Sequence, residues 1–213
     1  MKFESLLTLV GDLAWFDLAT LTQLGGENRS TLANQLHRWS KSGKVIPLRR
    51  GMYALGDRYR RRPLNPAALA NALRHPSYLS IQWALSFHGL IPEGVFVYTS
   101  VTTRVGRRFS NAAGEFVYTH IKLPAFFGYA AQMIHGQRTM VALPEKALLD
   151  GWYLGQGEWT AERMEGMRYQ NLDQIDETRL CDFVKRFDSP RLERAVAVFV
   201  AVASEQALGM KEL

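Results

Sequence analysis

The stretch "GKVIPLRRGMYAL", residues 43–55, decides how the first third of the chain folds. Val45-Ile46-Pro47-Leu48 and Met52-Tyr53-Ala54-Leu55 are short apolar runs separated by Arg49-Arg50-Gly51. Two strand-like runs on either side of a glycine predict a tight hairpin. Its tip carries two guanidinium groups, which repel each other unless water or an anion lies between them.

Upstream of the hairpin the apolar spacing is helical. Leu6, Leu7 and Val10 predict a first short helix ending by Gly11. Asp17 is a good N-cap for a second helix, with Leu18, Leu21 and Leu24 on one face and Gly25-Gly26 at its end. A third helix is expected from about Arg29 to Ser42, with Leu32, Leu36 and Trp39 inward and Thr31, Asn34, Gln35 and Arg38 on the opposite face. Helix, helix, glycine turn, helix and basic hairpin make the layout of a winged helix-turn-helix. In that arrangement the helix after the turn presents side chains that read base edges, Asn and Gln to adenine and Arg to guanine.

The charge distribution agrees. The chain carries a net charge of +6, and all of it sits in residues 1–62, which hold eleven Lys/Arg against five Asp/Glu. Between Arg29 and Arg62 there are ten bases and one acid. A basic module joined to a neutral one points to a polyanion partner. The expected duplex contacts are Arg29, Ser30, Thr31, Asn34, Gln35, Arg38 and Lys41 on the third helix. Lys44, Arg49, Arg50, Arg60, Arg61 and Arg62 are expected on the hairpin and the segment after it. Phosphate contacts from such bases supply affinity without sequence information.

The stretch "GDRYRRRPLNP", residues 56–66, has four arginines, two prolines and no apolar periodicity. It reads as a linker (58–66) between a DNA-binding domain (1–57) and a second domain (67–213). A plain solvated linker accounts equally well for Arg60-Arg61-Arg62. Beyond it the chain mixes types, and the fold class expected for the whole is α+β. Helices are expected from Pro66 to about Arg74, Ser80 to Gly89, Pro144 to Tyr153 and Asp176 to Arg186, and from Pro190 onward. Val95–Val101, Glu115–Lys122, Tyr129–Ile134 and Thr139–Leu143 are rich in strand formers. Trp39 and Trp83 read as core. Thr99, Ser100, Thr102 and Thr103 read most simply as a strand displaying hydroxyls on one side, with a nucleotide or partner site as the less favoured alternative. Arg104, Arg107 and Arg108, between two strands, read either as a plain basic loop or as a secondary contact to DNA or to an acidic protein.

Catalytic signatures are missing from the sequence. There is no H-E-x-x-H, P-loop, G-x-S-x-G or dinucleotide fingerprint, and His88, His120 and His135 are scattered. A nuclease site from Glu93, Glu145 and Asp150 has no spacing that demands it. Glu145 opens a helix where a first-turn acid suits the dipole, and Lys146 and Asp150, four apart, suit a surface pair. No enzyme activity, cofactor or metal is expected. The single cysteine, Cys181, allows no intrachain disulfide and suits a reducing compartment. The longest apolar run, Ala195–Ala203, is nine residues against the roughly 20 needed to span a bilayer. A cytoplasmic protein without membrane contact is therefore expected.

The basic start ending in "GKVIPLRRGMYAL" resembles the N-terminal module of AbiEi-type antitoxins, the regulators of type IV toxin–antitoxin systems. "YLSIQWALSFHGLIPEGVFVYTSVTTR" (78–104) and "VALPEKALLDGWYL" (141–154) extend the likeness, with "FVYTHIK" and "FFGY" between them, so that it covers residues 3 to 155. The resemblance implies a repressor that binds repeats in its own promoter as double-stranded DNA. It further implies a second domain that neutralises a nucleotidyltransferase-like toxin, directly or functionally. Such a chain would be a monomer in solution, or a weakly self-associating one that loads cooperatively on DNA. The alternative from another class is a protein-binding antitoxin or scaffold whose basic module grips an acidic partner.

Overall fold

The computed structural model describes residues 1–209; residues 210–213 of the expected second domain lie outside the described residues. Three helices open the chain: α1 (Phe3–Val10), α2 (Leu18–Gly25) and α3 (Arg29–Lys41), with a two-residue strand β1 (Phe16–Asp17) before α2. Phe3, Leu6 and Val10 are the buried positions of α1, at the i, i+3, i+7 spacing that sequence periodicity requires. Asp17 caps α2, accepting from the Thr20 N–H at 2.7 Å, and Gly26 ends it in the left-handed region at φ 64°.

The hairpin follows as β2 (Val45–Arg49) and β3 (Met52–Leu55), with Gly51 at φ 77° making the turn. Together with β1 it forms a three-stranded antiparallel sheet in the order β1-β3-β2. The two faces of this ribbon serve different cores. Leu55 joins the first core with Leu6, Leu21, Leu32, Leu36 and Val45, and Tyr53 packs on the same core. Met52 and Ala54 point the other way, into the second core, as the period-2 alternation of a strand demands. On β2 the same alternation turns Ile46 and Leu48 toward the second core while Val45 faces the first, and the pairing with β3 is bulged between Pro47 and Arg49. The boundary expected at residue 57 therefore does not isolate the hairpin, which is shared by both halves.

The segment expected as a linker is tied down along its length. Tyr59 meets Phe3 edge-on at 4.9 Å. Arg60 pairs with Asp57 and donates to the Leu55 carbonyl at 3.3 Å, and Arg61 pairs with Asp12 at 3.3 Å. Pro63 accepts through its carbonyl from Gln137 Nε2 at 3.2 Å. Asn65 caps α4 (Pro66–Leu73) and also donates to the Ile134 carbonyl at 2.6 Å.

The rest is mixed α+β. Its six-stranded sheet has the order β6-β7-β5-β4-β9-β8, from β4 (Ser77–Leu79), β5 (Val97–Thr102), β6 (Arg107–Asn111), β7 (Gly114–His120), β8 (Tyr129–Ile134) and β9 (Gln137–Ala142). The β4–β9 and β5–β7 pairs are parallel and the others antiparallel. The helices α5 (Ile81–Phe87), α6 (Pro144–Leu154), α7 (Ala161–Gly166), α8 (Glu177–Lys185) and α9 (Pro190–Gly209) complete it. α4 packs on β4, β5 and β9, whereas α6 packs on α5, α8 and α9.

Four expectations need correcting. Arg107 and Arg108 lie on strand β6, not in a loop, because Asn111 and Gly114 close a turn that pairs β6 with β7. Ser100 and Thr102 are buried, and Thr99 links β5 to α5 by accepting from the Trp83 N–H and donating to the Ser80 carbonyl. Lys146 and Asp150 are fully buried, not a surface pair. Glu145 is buried too: it accepts from the Asp176 N–H at 2.9 Å and faces Arg179 at 3.4 Å, so it anchors the start of α8.

Candidate nucleic-acid interface

α3 begins at Asn28, whose side chain accepts from the Ser30 N–H at 2.9 Å; the Ser30 hydroxyl donates to the same oxygen. Ser30 is thus occupied by the cap. Leu32 and Leu36 are fully buried, which fixes the rotation of the helix and leaves Arg29, Thr31, Asn34, Arg38 and Lys41 exposed. Gln35 is half-buried and accepts from the Met1 amine at 3.1 Å. It belongs to the seam with α1, so the outward face is Thr31, Asn34, Arg38 and Lys41. Lys44 lies 4.7 Å over the Phe3 ring.

At the hairpin tip Arg49 and Arg50 are exposed, and Arg49 Nη1 donates to the Arg50 carbonyl at 3.3 Å. The hairpin is docked on the second sheet: Asn111 Nδ2 donates to the Leu48 carbonyl at 2.9 Å, and Leu48 is buried behind it. This docking brings the tip to a cleft of about 310 Å³ whose walls include Arg49, Arg50, Arg74, Arg104, Arg107 and Phe109. Among the described residues none of these five arginines forms an ion pair. Arg108 alternates to the other face of β6 and stands outside the cleft.

The cleft's arginines are held by backbone. Arg74 Nη2 donates to the Val105 carbonyl at 2.6 Å, while its Nε is enclosed without a partner. The Arg104 loop is fixed by two contacts: the Arg104 N–H donates to Thr102 Oγ1 at 3.2 Å, and the Arg104 carbonyl lies 3.2 Å from His120 Nδ1. Beneath the cleft, burial pushes the Tyr118 hydroxyl well above the ordinary phenol range, and the nearby Arg49 and Arg74 charges partly oppose that shift. Arg74 was not a sequence candidate. It is an ordinary basic residue just past a helix end, and only the docking of the hairpin brings it to Arg49.

The arginines after the hairpin divide. Arg60 has a side chain only 13% exposed, spent on Asp57 and the Leu55 carbonyl, and is not free to meet a phosphate. Arg61 is exposed but paired with Asp12. Arg62 is exposed and lines a second cleft of about 510 Å³ with Trp15, His75 and Arg138.

A different cluster lies inside the second core. Asp150 accepts from Ser80 Oγ at 2.7 Å and Tyr78 Oη at 3.0 Å and pairs with Lys146, which also donates to Tyr78 Oη at 2.8 Å. Lys146 further faces the Phe127 and Phe187 rings at 5.1 and 4.8 Å. Burial pushes the Lys146 ammonium down and the Asp150 carboxyl up, each opposed by the charge of the other. With Ser80, Lys146 and Asp150 at 0% exposure, no substrate reaches the cluster, and its bonds tie β4 to α6. Among the described residues no group of three or more His, Cys, Asp or Glu is arranged to hold a metal ion. Nor is any described helix long and apolar enough to cross a membrane.

Compared with protein-family models and with curated proteins, the chain matches none.

Proposed function

We propose that the chain is a sequence-specific double-stranded DNA-binding autorepressor of the AbiEi antitoxin type, with α1–α3 and β1–β3 as its winged helix-turn-helix. The observation that carries this reading is the outward face of α3. Thr31, Asn34, Arg38 and Lys41 stand exposed, and none of the two cations is in an ion pair among the described residues. Asn34 and Arg38 are residue types that bond base edges bidentately. Lys41, Arg49 and Arg50 are assigned to phosphates.

The test is fluorescence anisotropy with a duplex from the chain's own upstream region. With those three phosphates neutralised, log K falls with log salt at a slope of about −2.7. Asn34→Ala relaxes sequence preference, and Arg49→Ala weakens all duplexes alike. Absence of binding at low salt sinks the proposal. The antitoxin half is supported by the two later motifs of the resemblance. It is tested by growth rescue against the product of an adjacent nucleotidyltransferase-like gene. Rescue that needs the basic module without any duplex binding would favour an acidic protein partner instead.

A further inference from the structure

The five arginines of the hairpin cleft pose an electrostatic problem that the protein alone does not solve. Arginine side chains stay charged throughout the physiological range. Arg49 and Arg50 come from the hairpin, Arg74 from the end of α4, and Arg104 and Arg107 from β6 and the loop before it. Among the described residues no carboxylate lines the cleft, and the neutralising contacts there are backbone carbonyls, of Val105 to Arg74 and of Arg50 to Arg49. Three separate segments thus bring like charges to one concave surface, and the docking of Leu48 and Asn111 holds them there. An arrangement of this kind costs repulsion when empty and is relieved by an anion.

We propose that this cleft is a binding site for a polyphosphate group, two or more linked phosphoryl units such as a nucleoside di- or triphosphate carries. Charge matching selects that class. One phosphate brings about −1.5 to −2 charge and would leave roughly three of the cations unmatched, whereas linked phosphates approach balance. Guanidinium forks bind phosphoryl oxygens bidentately, which suits a ligand with several terminal oxygens. The volume of about 310 Å³ is at the small end for ligand sites. It admits a polyphosphate with part of an attached group against the half-buried Phe109 ring. Arg49 and Arg50 are also the hairpin's duplex contacts in the proposed function, so occupancy lowers duplex affinity. That consequence rests on the DNA-binding reading, but the binding itself does not.

The experiment is calorimetric titration of the full chain with sodium tripolyphosphate at constant ionic strength, with no DNA present. Saturable binding near one-to-one is expected. Arg104→Ala and Arg107→Ala, both exposed positions, each weaken it about tenfold or more. Arg108→Ala, one residue away on the other face of β6, leaves it unchanged. Titration without saturation overturns the proposal, as does an equal loss in Arg108→Ala, which would mean diffuse attraction to a basic surface. Should Arg104→Ala and Arg107→Ala weaken duplex binding while tripolyphosphate never binds, the cleft is an extension of the duplex contact and the polyphosphate site is refuted. If tripolyphosphate binds and no duplex does, the site stands and the DNA-binding reading falls.

Discussion

Lys146 and Asp150 sit at the centre of the second core, and Arg49, Arg50, Arg74, Arg104 and Arg107 line a cleft at its edge; the two groups handle charge in opposite ways. Inside, one cation meets one anion, and both lone hydroxyls nearby, of Tyr78 and Ser80, are spent on the same carboxylate. At the edge, five cations meet no anion among the described residues. A charge removed from water must be answered within the protein, or the fold is lost. A charge left at the surface is answered by solvent, and can be kept waiting for a ligand. The difference separates charges that serve the fold from charges that serve binding, although Lys and Arg look alike in a composition count.

Stability measurements can break that distinction. The largest effect is expected for Asp150→Ala, which leaves Lys146 buried and unpaired; chemical denaturation should show a loss of about 3–5 kcal/mol. A double change to apolar residues, Lys146→Met with Asp150→Leu, should recover much of it. A loss under about 1 kcal/mol in Asp150→Ala would mean that water reaches the pair and the contrast fails. Leu48→Ala comes next, at about 2–5 kcal/mol, because it removes the apolar anchor by which the hairpin docks on the second core. It should also weaken tripolyphosphate binding by freeing the tip. Unchanged binding would show that the arginines do not depend on docking for their convergence.

A third effect concerns alkaline pH. Tyr169 is pushed up to about 12 by burial, against its bond from the Trp152 indole and the Arg163 charge. Burial also raises Tyr78 and Tyr118 well above the ordinary phenol range. A folded-state value above the unfolded one means that the unfolded chain loses its proton first. Stability should therefore hold below about pH 10 and fall above it, by up to about 1.4 kcal/mol per pH unit for each tyrosine. For Tyr169 the fall continues until about pH 12. Tyr169→Phe should flatten the curve; an unchanged slope would show that this hydroxyl does not couple to folding. The smallest effect is expected for Arg104→Ala combined with Arg107→Ala. Removing two uncompensated charges should leave the thermal midpoint unchanged or slightly higher, and a clear drop would mean that these arginines serve the fold after all.

Much of the local structure was legible in the sequence, because it follows from local chemistry. Asp17 as a cap, Gly26 and Gly51 at left-handed turns, and Leu32 and Leu36 as the buried rail of α3 each depend on a few neighbouring residues. The rotation of α3 was legible for the same reason, and with it Thr31, Asn34 and Arg38 as an outward face. Gln35 was not, since its half-buried seat depends on α1 lying alongside. The strands β7, β8 and β9 were legible from their Val, Tyr and Thr content to within a residue or three. β6 was not, because its arginines read as a loop until β7 supplies a partner.

Charge shows the limit most clearly. Composition alone located the excess of positive charge in the first third of the chain, and spacing alone placed two arginines at a hairpin tip. Which arginines are free was decided only by tertiary structure. Arg60 turns inward to Asp57, Arg61 finds Asp12 forty-nine positions away, and Arg74 joins Arg49 across the hairpin seam. Likewise a Lys and an Asp four residues apart fit a surface pair or a buried one equally well, and only the packing of α6 against its neighbouring helices, with Tyr78 of β4 over the pair, excludes water from Lys146 and Asp150. Helix phase, caps and turns are set by interactions within a few residues. Ion pairing and burial are set by whatever the rest of the fold brings within a few ångströms, and no local pattern carries that information.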